Sequence, residues 1–138
     1  MRQLGIHTRI LLQFALGLAC LAACNLVTPA SLSTPSPTPA PQARILFPSH
    51  NQQVAQGIIF DIEILASDPA GGIQRVELYV DEQLEQTSES DAADLRDYRV
   101  TMNWFAKETG WHKFAAVAYR ADGVASHPHI IALEVVPS

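Results

Sequence analysis

The side chains in this chain with chemistry to offer are a few histidines, a run of acids and four large aromatics. His127-Pro128-His129 puts two imidazoles on one face of an extended segment, a spacing that can start a metal site. A third ligand would have to come from elsewhere in the chain, and no metal is assigned. His50 and His112 stand apart from that pair, and His112 is expected to be a strand residue with its ring nitrogens bonded locally. The acids Asp81, Glu82, Glu85, Glu89, Asp91, Asp94 and Asp97 crowd one hairpin and loop. Their oxygens suit calcium, but the Asp-x-Asp-x-Asp-Gly loop is missing and such runs usually form a solvated face. Glycoside hydrolysis needs two carboxylates across a cleft, and with so many acids a chance pair carries no information. No Gly-x-Ser-x-Gly elbow, reactive cysteine or phosphate loop occurs, so no catalytic residue is named and no enzyme is expected. Tyr79, Tyr119, Trp104 and Trp111 remain as candidate ligand contacts, because exposed aromatics stack on sugars or anchor protein partners. A tryptophan at a strand end more often closes a core.

The N-terminus carries a different kind of chemistry. Arg2 and Arg9 make a positive start, and Ile10 to Ala23 is apolar apart from Gln13. That run is shorter than the roughly 20 residues a spanning helix needs, and it reads as a signal peptide over 1–23. It ends in Leu21-Ala22-Ala23-Cys24, which resembles the bacterial lipobox. The resemblance implies cleavage before Cys24 and lipid attachment to it. Cys20 is the rival, but Gly17 stands where the lipobox has Leu. Each buried methylene contributes about 0.8 kcal/mol, so two or more acyl chains anchor a protein without spanning the bilayer. The expected address is the outer face of the cell membrane or the cell envelope. Both cysteines fall in this region, so the remainder has no disulfide and no cysteine zinc site.

From Asn25 to Gln42 the chain is uncharged and dense in Pro, Ser, Thr and Ala. Such a segment cannot bury enough apolar surface to order itself, and its prolines favour an extended chain. At about 3.1 Å per residue it reaches roughly 50 Å, enough to hold a domain clear of lipid headgroups. Residues 24–42 are therefore read as a lipidated cysteine and linker, and 43–138 as one domain. All fourteen acids and seven of the nine basic residues follow residue 24, giving that part a formal charge of −7. Such a surface argues against nucleic acid as a partner, since phosphate contact needs a basic face.

The strands that must position these residues follow from alternation. After Gly71-Gly72, Val76, Leu78 and Val80 alternate with Arg75, Glu77, Tyr79 and Asp81, the mark of a strand with one buried and one wet face. Similar segments run over 43–47, 58–67, 84–88, 98–104, 111–120 and 130–135. Ser49 to Gln53 reads as a polar loop, Glu82-Gln83 as a hairpin tip, and 89–97 as a loop with at most a helical turn. Seven short strands favour an all-β antiparallel sandwich over a closed barrel.

Pro48, Val54, Gly57, Ile64-Leu65-Ala66-Ser67-Asp68, Val76-Glu77-Leu78-Tyr79-Val80-Asp81, Gly110-Trp111-His112 and Ala118 to Gly123 resemble bacterial immunoglobulin-like domains. The resemblance covers nearly all of 43–138 and implies an immunoglobulin-like β-sandwich used for adhesion, carbohydrate contact or spacing. Glu82 stands in place of the family's turn glycine and Arg120 in place of its second Asp. The calcium site that some relatives build from loop Asp residues is therefore not carried over. The resulting expectation is a membrane-anchored, non-catalytic binding, adhesion or spacer module without a cofactor. Its partner would be a cell-surface glycan, an envelope protein or a second copy. The alternative is an accessory subunit of an envelope enzyme or transporter, docking through the Tyr79 and Tyr119 face.

Overall fold

The computed structural model describes residues 38–92 and 94–138. The leader and the lipobox cysteine Cys24 lie outside the described residues. Eight strands follow in order: β1 (Gln42–Phe47), β2 (Gln53–Ala55), β3 (Ile59–Ser67), β4 (Arg75–Val80), β5 (Gln83–Glu89), β6 (Asp97–Phe105), β7 (Gly110–Tyr119) and β8 (His129–Val136). They form a three-stranded sheet, β1-β3-β6, facing a five-stranded sheet, β2-β8-β7-β4-β5. The described residues contain no helix; in the loop between β5 and β6 the Leu95 amide donates to the Ala92 carbonyl at 3.4 Å.

Alternation decides which side chains meet between the sheets. In β3, Ile62, Ile64 and Ala66 are fully buried while Asp61 faces out. Opposite them, Leu78 in β4, Phe114, Ala116 and Ala118 in β7 and Leu133 in β8 are also fully buried. Trp104 from β6 meets Phe114 edge-on at 5.1 Å between ring centres and Phe60 at 5.8 Å. Such edge-to-face pairs add roughly 0.5–1.5 kcal/mol beyond the area they bury.

Two features depart from simple alternation. β2 is an eighth strand where a polar loop gives way to Val54, and it pairs in parallel with β8, so the larger sheet is mixed. With three residues and a single buried side chain, Val54, it offers no period to read. The other departure is Glu77, which sits on the wet face of β4 yet is only 8% exposed.

The ends of the sandwich differ. Asp68, after β3, is fully buried and takes two bonds from Arg120, Nε to Oδ2 at 2.6 Å and a terminal nitrogen to Oδ1 at 3.0 Å. The same terminal nitrogen donates to the Pro39 carbonyl at 2.8 Å, so the chain enters the sandwich at this pole. Gly71 lies against the Arg120 side chain, and a Cβ there would collide with it. At the other pole β4 turns into β5 through Asp81 and Glu82, both at positive φ (48° and 71°). A two-residue hairpin loop needs that conformation to match the twist of its strands.

Candidate binding site

The candidate aromatic residues go to different places. Arg75, Glu77 and Tyr79 are two apart on β4 and share the outer face of the larger sheet, with Tyr119 of β7 opposite Arg75. Arg75 Nε donates to Glu77 Oε1 at 2.8 Å, and the Tyr79 hydroxyl donates to Oε2 at 2.6 Å. The Arg75 guanidinium lies 3.9 Å over the Tyr119 ring. Burial pushes the Glu77 carboxyl up, but hydrogen bonds from Tyr79, Arg75 and Tyr119 outweigh it and hold the group below its ordinary range. The same carboxylate, with Tyr119, drives the Tyr79 hydroxyl well above its ordinary value. A neutral phenol locked to a carboxylate cannot serve as a base. It can present a fixed ring and a fixed polar edge.

The rest of that face is partly apolar. Tyr79 faces Leu84 on β5 and Ala115 on β7, and Ala115 faces Ile130 on β8. Leu84 and Ile130 are more than half exposed, and so is Trp111 two residues before Lys113 on β7. Trp104, by contrast, belongs to the core and shows only an edge.

That edge opens on a groove of about 530 Å³ at the hairpin pole. Its walls are Val80, Asp81, Gln83 and Glu85 from the larger sheet, and Trp104, Phe105, Lys107 and Glu108 from the smaller one, with His112 at the back. Phe105 is half exposed. His112 is tied at both ring nitrogens, Nδ1 to Asp81 Oδ2 at 2.6 Å and Nε2 to the Glu108 carbonyl at 3.0 Å, so its bonds are local. Burial raises the Asp81 carboxyl, while the Lys113 amide and His112 lower it further, leaving it below the ordinary range. Lys113 Nζ reaches Glu82 at 2.6 Å and holds that exposed carboxyl down as well.

The other candidates stay apart. His129 Nδ1 accepts the Ile45 amide at 3.2 Å, and His50 Nδ1 accepts the Ala132 amide at 3.0 Å. Both imidazoles thus pin backbone, and His127 beside them is exposed. Among the described residues no three His, Cys, Asp or Glu side chains converge as metal ligands. The loop acids Asp91, Asp94 and Asp97 are exposed, in keeping with a solvated face. Sequence reasoning passed over Phe105, Gln83, Lys107 and Glu108 as groove residues. The signal available was the pair Trp104-Phe105 at a strand end, where alternation sends one ring inward and the next outward.

Two sheets in this order define an immunoglobulin- and fibronectin-like sandwich, a fold of generally non-catalytic modules. Residues 41–125 match the family described as a bacterial Ig domain, and the chain belongs to that family. Among solved structures it is similar to the fibronectin(III)-like modules of CbhA from Clostridium thermocellum, with 24% identity and a TM-score of 0.58. That match covers 71% of this chain and 47% of the other, so the chain spans about half the length of that structure. It is also similar to the CARDB domain of PF1109 from Pyrococcus furiosus, at 13% identity, 75% and 100% coverage and a TM-score of 0.54. The SrpA adhesin of Streptococcus sanguinis, in its R347E form, matches at 14% identity, 74% and 58% coverage and a TM-score of 0.54. At these identities the likeness is one of fold. No curated protein matches the chain.

Proposed function

We propose that the protein is a lipid-anchored, exported, non-catalytic module that holds its sandwich out from a membrane to bind a partner. The observation that carries this reading is the polarity of the sandwich. The chain enters at the Arg120–Asp68 pole through Pro39, and the groove lies at the opposite pole, one strand length away. Ten residues of β7 at about 3.3 Å each make that length roughly 33 Å. Upstream of Pro39 stand the proline-rich stretch and the lipobox-like Cys24, which suit a tether and an acyl anchor.

The reading is tested by capture from the protein's own envelope. The full chain is offered peptidoglycan, surface polysaccharide and a detergent extract, with and without calcium. Retention of a glycan or a protein supports a binding module. Retention of nothing reduces the protein to a spacer.

A second reading makes the protein an accessory subunit of an envelope enzyme or transporter. The outer face of the larger sheet favours it, since Tyr79, Tyr119, Arg75 and Trp111 are the residue types that concentrate binding energy at interfaces. Co-purification of one stoichiometric partner, lost in Trp111→Ala and Tyr119→Ala, would select this reading over a free-standing adhesin.

A further inference from the structure

Where β5 and β6 run side by side, the two sheets present their edges to each other. β5 pairs only with β4, and β6 only with β3. Along most of this seam side chains close the gap. Gln86 Nε2 donates to the Asn103 carbonyl at 2.7 Å, Ser88 bonds Tyr98 at 2.7 Å, and the Tyr98 hydroxyl donates to the Glu89 carbonyl at 2.9 Å. Beyond Gln86 and Asn103, toward the hairpin pole, no such bridge occurs among the described residues. There the groove of about 530 Å³ separates Gln83 and Glu85 on one edge from Phe105 on the other.

We propose that this groove receives an extended, basic polypeptide segment of a partner protein, laid along the β5 edge with an arginine or lysine side chain over Phe105. This deepens the binding-module reading and rests on it. Three observations choose the occupant. On the β6 side the Asn103 and Phe105 carbonyls already accept from Gln86 and from the Lys107 amide, but β5 is the last strand of its sheet, and recognition by strand addition uses such an edge. A half-exposed phenyl ring beside carboxylates suits a cation held over the ring face. The groove walls carry Asp81, Glu85 and Glu108 against Lys107, in a chain whose segment after residue 24 has a formal charge of −7. Asp81 is already engaged by His112 and the Lys113 amide, which leaves Glu85 and Glu108 to meet the incoming charge. A neutral glycan would also stack on Phe105, but it would make no use of the charge or of the strand edges.

The test is calorimetric titration of the full chain in detergent micelles with the capped peptide Ac-Val-Arg-Val-Arg-Val-NH2. The matched glutamate peptide and cellohexaose are run beside it. The arginine peptide is expected to bind, more weakly as salt rises, and the glutamate peptide is not. Glu85→Gln with Glu108→Gln should weaken binding about tenfold, the sum of two exposed charge contacts. Phe105→Ala should weaken it by a similar factor, while Val124→Ala, exposed at the Arg120 pole, should leave it unchanged. All these side chains are solvent-exposed, and a thermal melt of each variant checks that it folds. Absence of binding, equal binding of the glutamate peptide, indifference to Glu85 and Glu108, or preference for cellohexaose each overturns the proposal. If the groove fails while envelope capture still retains a partner, the binding-module reading stands and only its location moves.

Discussion

Asp68 and Glu77 are both buried carboxylates, and each is kept ionised by a different arrangement. Asp68 is held below its ordinary range by the Arg120 hydrogen bonds, which prevail over burial. Glu77 is raised by burial and brought down by three donors around it. Because both folded-state values lie below those of the unfolded chain, the stability they contribute is present above the ordinary carboxylate range, near pH 4. It is lost as pH falls through the depressed values. Thermal midpoints measured against pH should therefore drop on acidification, and Asp68→Asn should flatten that slope while lowering the midpoint at neutral pH. Removing one partner of a buried pair leaves the other charge unanswered, and for Asp68→Ala the loss should be about 3 kcal/mol, read from denaturant unfolding. Gly71→Ala should act in the same direction without touching either charge, because its methyl group would displace the Arg120 side chain. If Gly71→Ala unfolds like the parent, the pair is not held where it stands. Little of this was legible in sequence. Period two marks which residues face outward, but it cannot show that Arg75, Tyr79 and Tyr119 would close over Glu77.

Strands were the most legible level. The seven expected segments all became strands, their ends within two positions of the expected ones; six bury side chains on one face, whereas β5, the return strand of the hairpin, buries none. β2 escaped notice since a single buried valine makes no pattern. The core that alternation implies centres on Phe114 of β7, packed edge-on to Trp104. Phe114→Ala should cost about 3–5 kcal/mol in denaturant unfolding, and a loss under 1 kcal/mol would mean the sheets close without it. At the β4–β5 hairpin, Glu82 occupies a positive φ that a glycine adopts without strain. Glu82→Gly should therefore raise the thermal midpoint, even though it removes the exposed contact with Lys113. A lower midpoint would show that the ion pair matters more than the backbone.

For the whole molecule, the bacterial Ig family and its sandwich were legible from motif residues spread across the chain, whereas the groove was not. A groove is made by two edges that are distant in sequence, Gln83 to Glu85 and Trp104 to Glu108, and no local pattern marks their meeting. Arg120 supplies a fixed positive charge beside Asp68, with Asp122 at 3.7 Å on its other side. Thermal midpoints should accordingly be the same with calcium and with a chelator, and a rise with calcium would reveal a cation site that this arginine does not replace. Holding the sandwich out from a membrane requires the anchor. Its most direct test is to express the full chain and its Cys24→Ser variant in bacteria fed labelled palmitate, then separate membrane from soluble fractions. The parent chain is expected to take up label and sediment with the membrane, while Cys24→Ser takes up none and is released. An unlabelled parent, or a labelled Cys24→Ser, would contradict it.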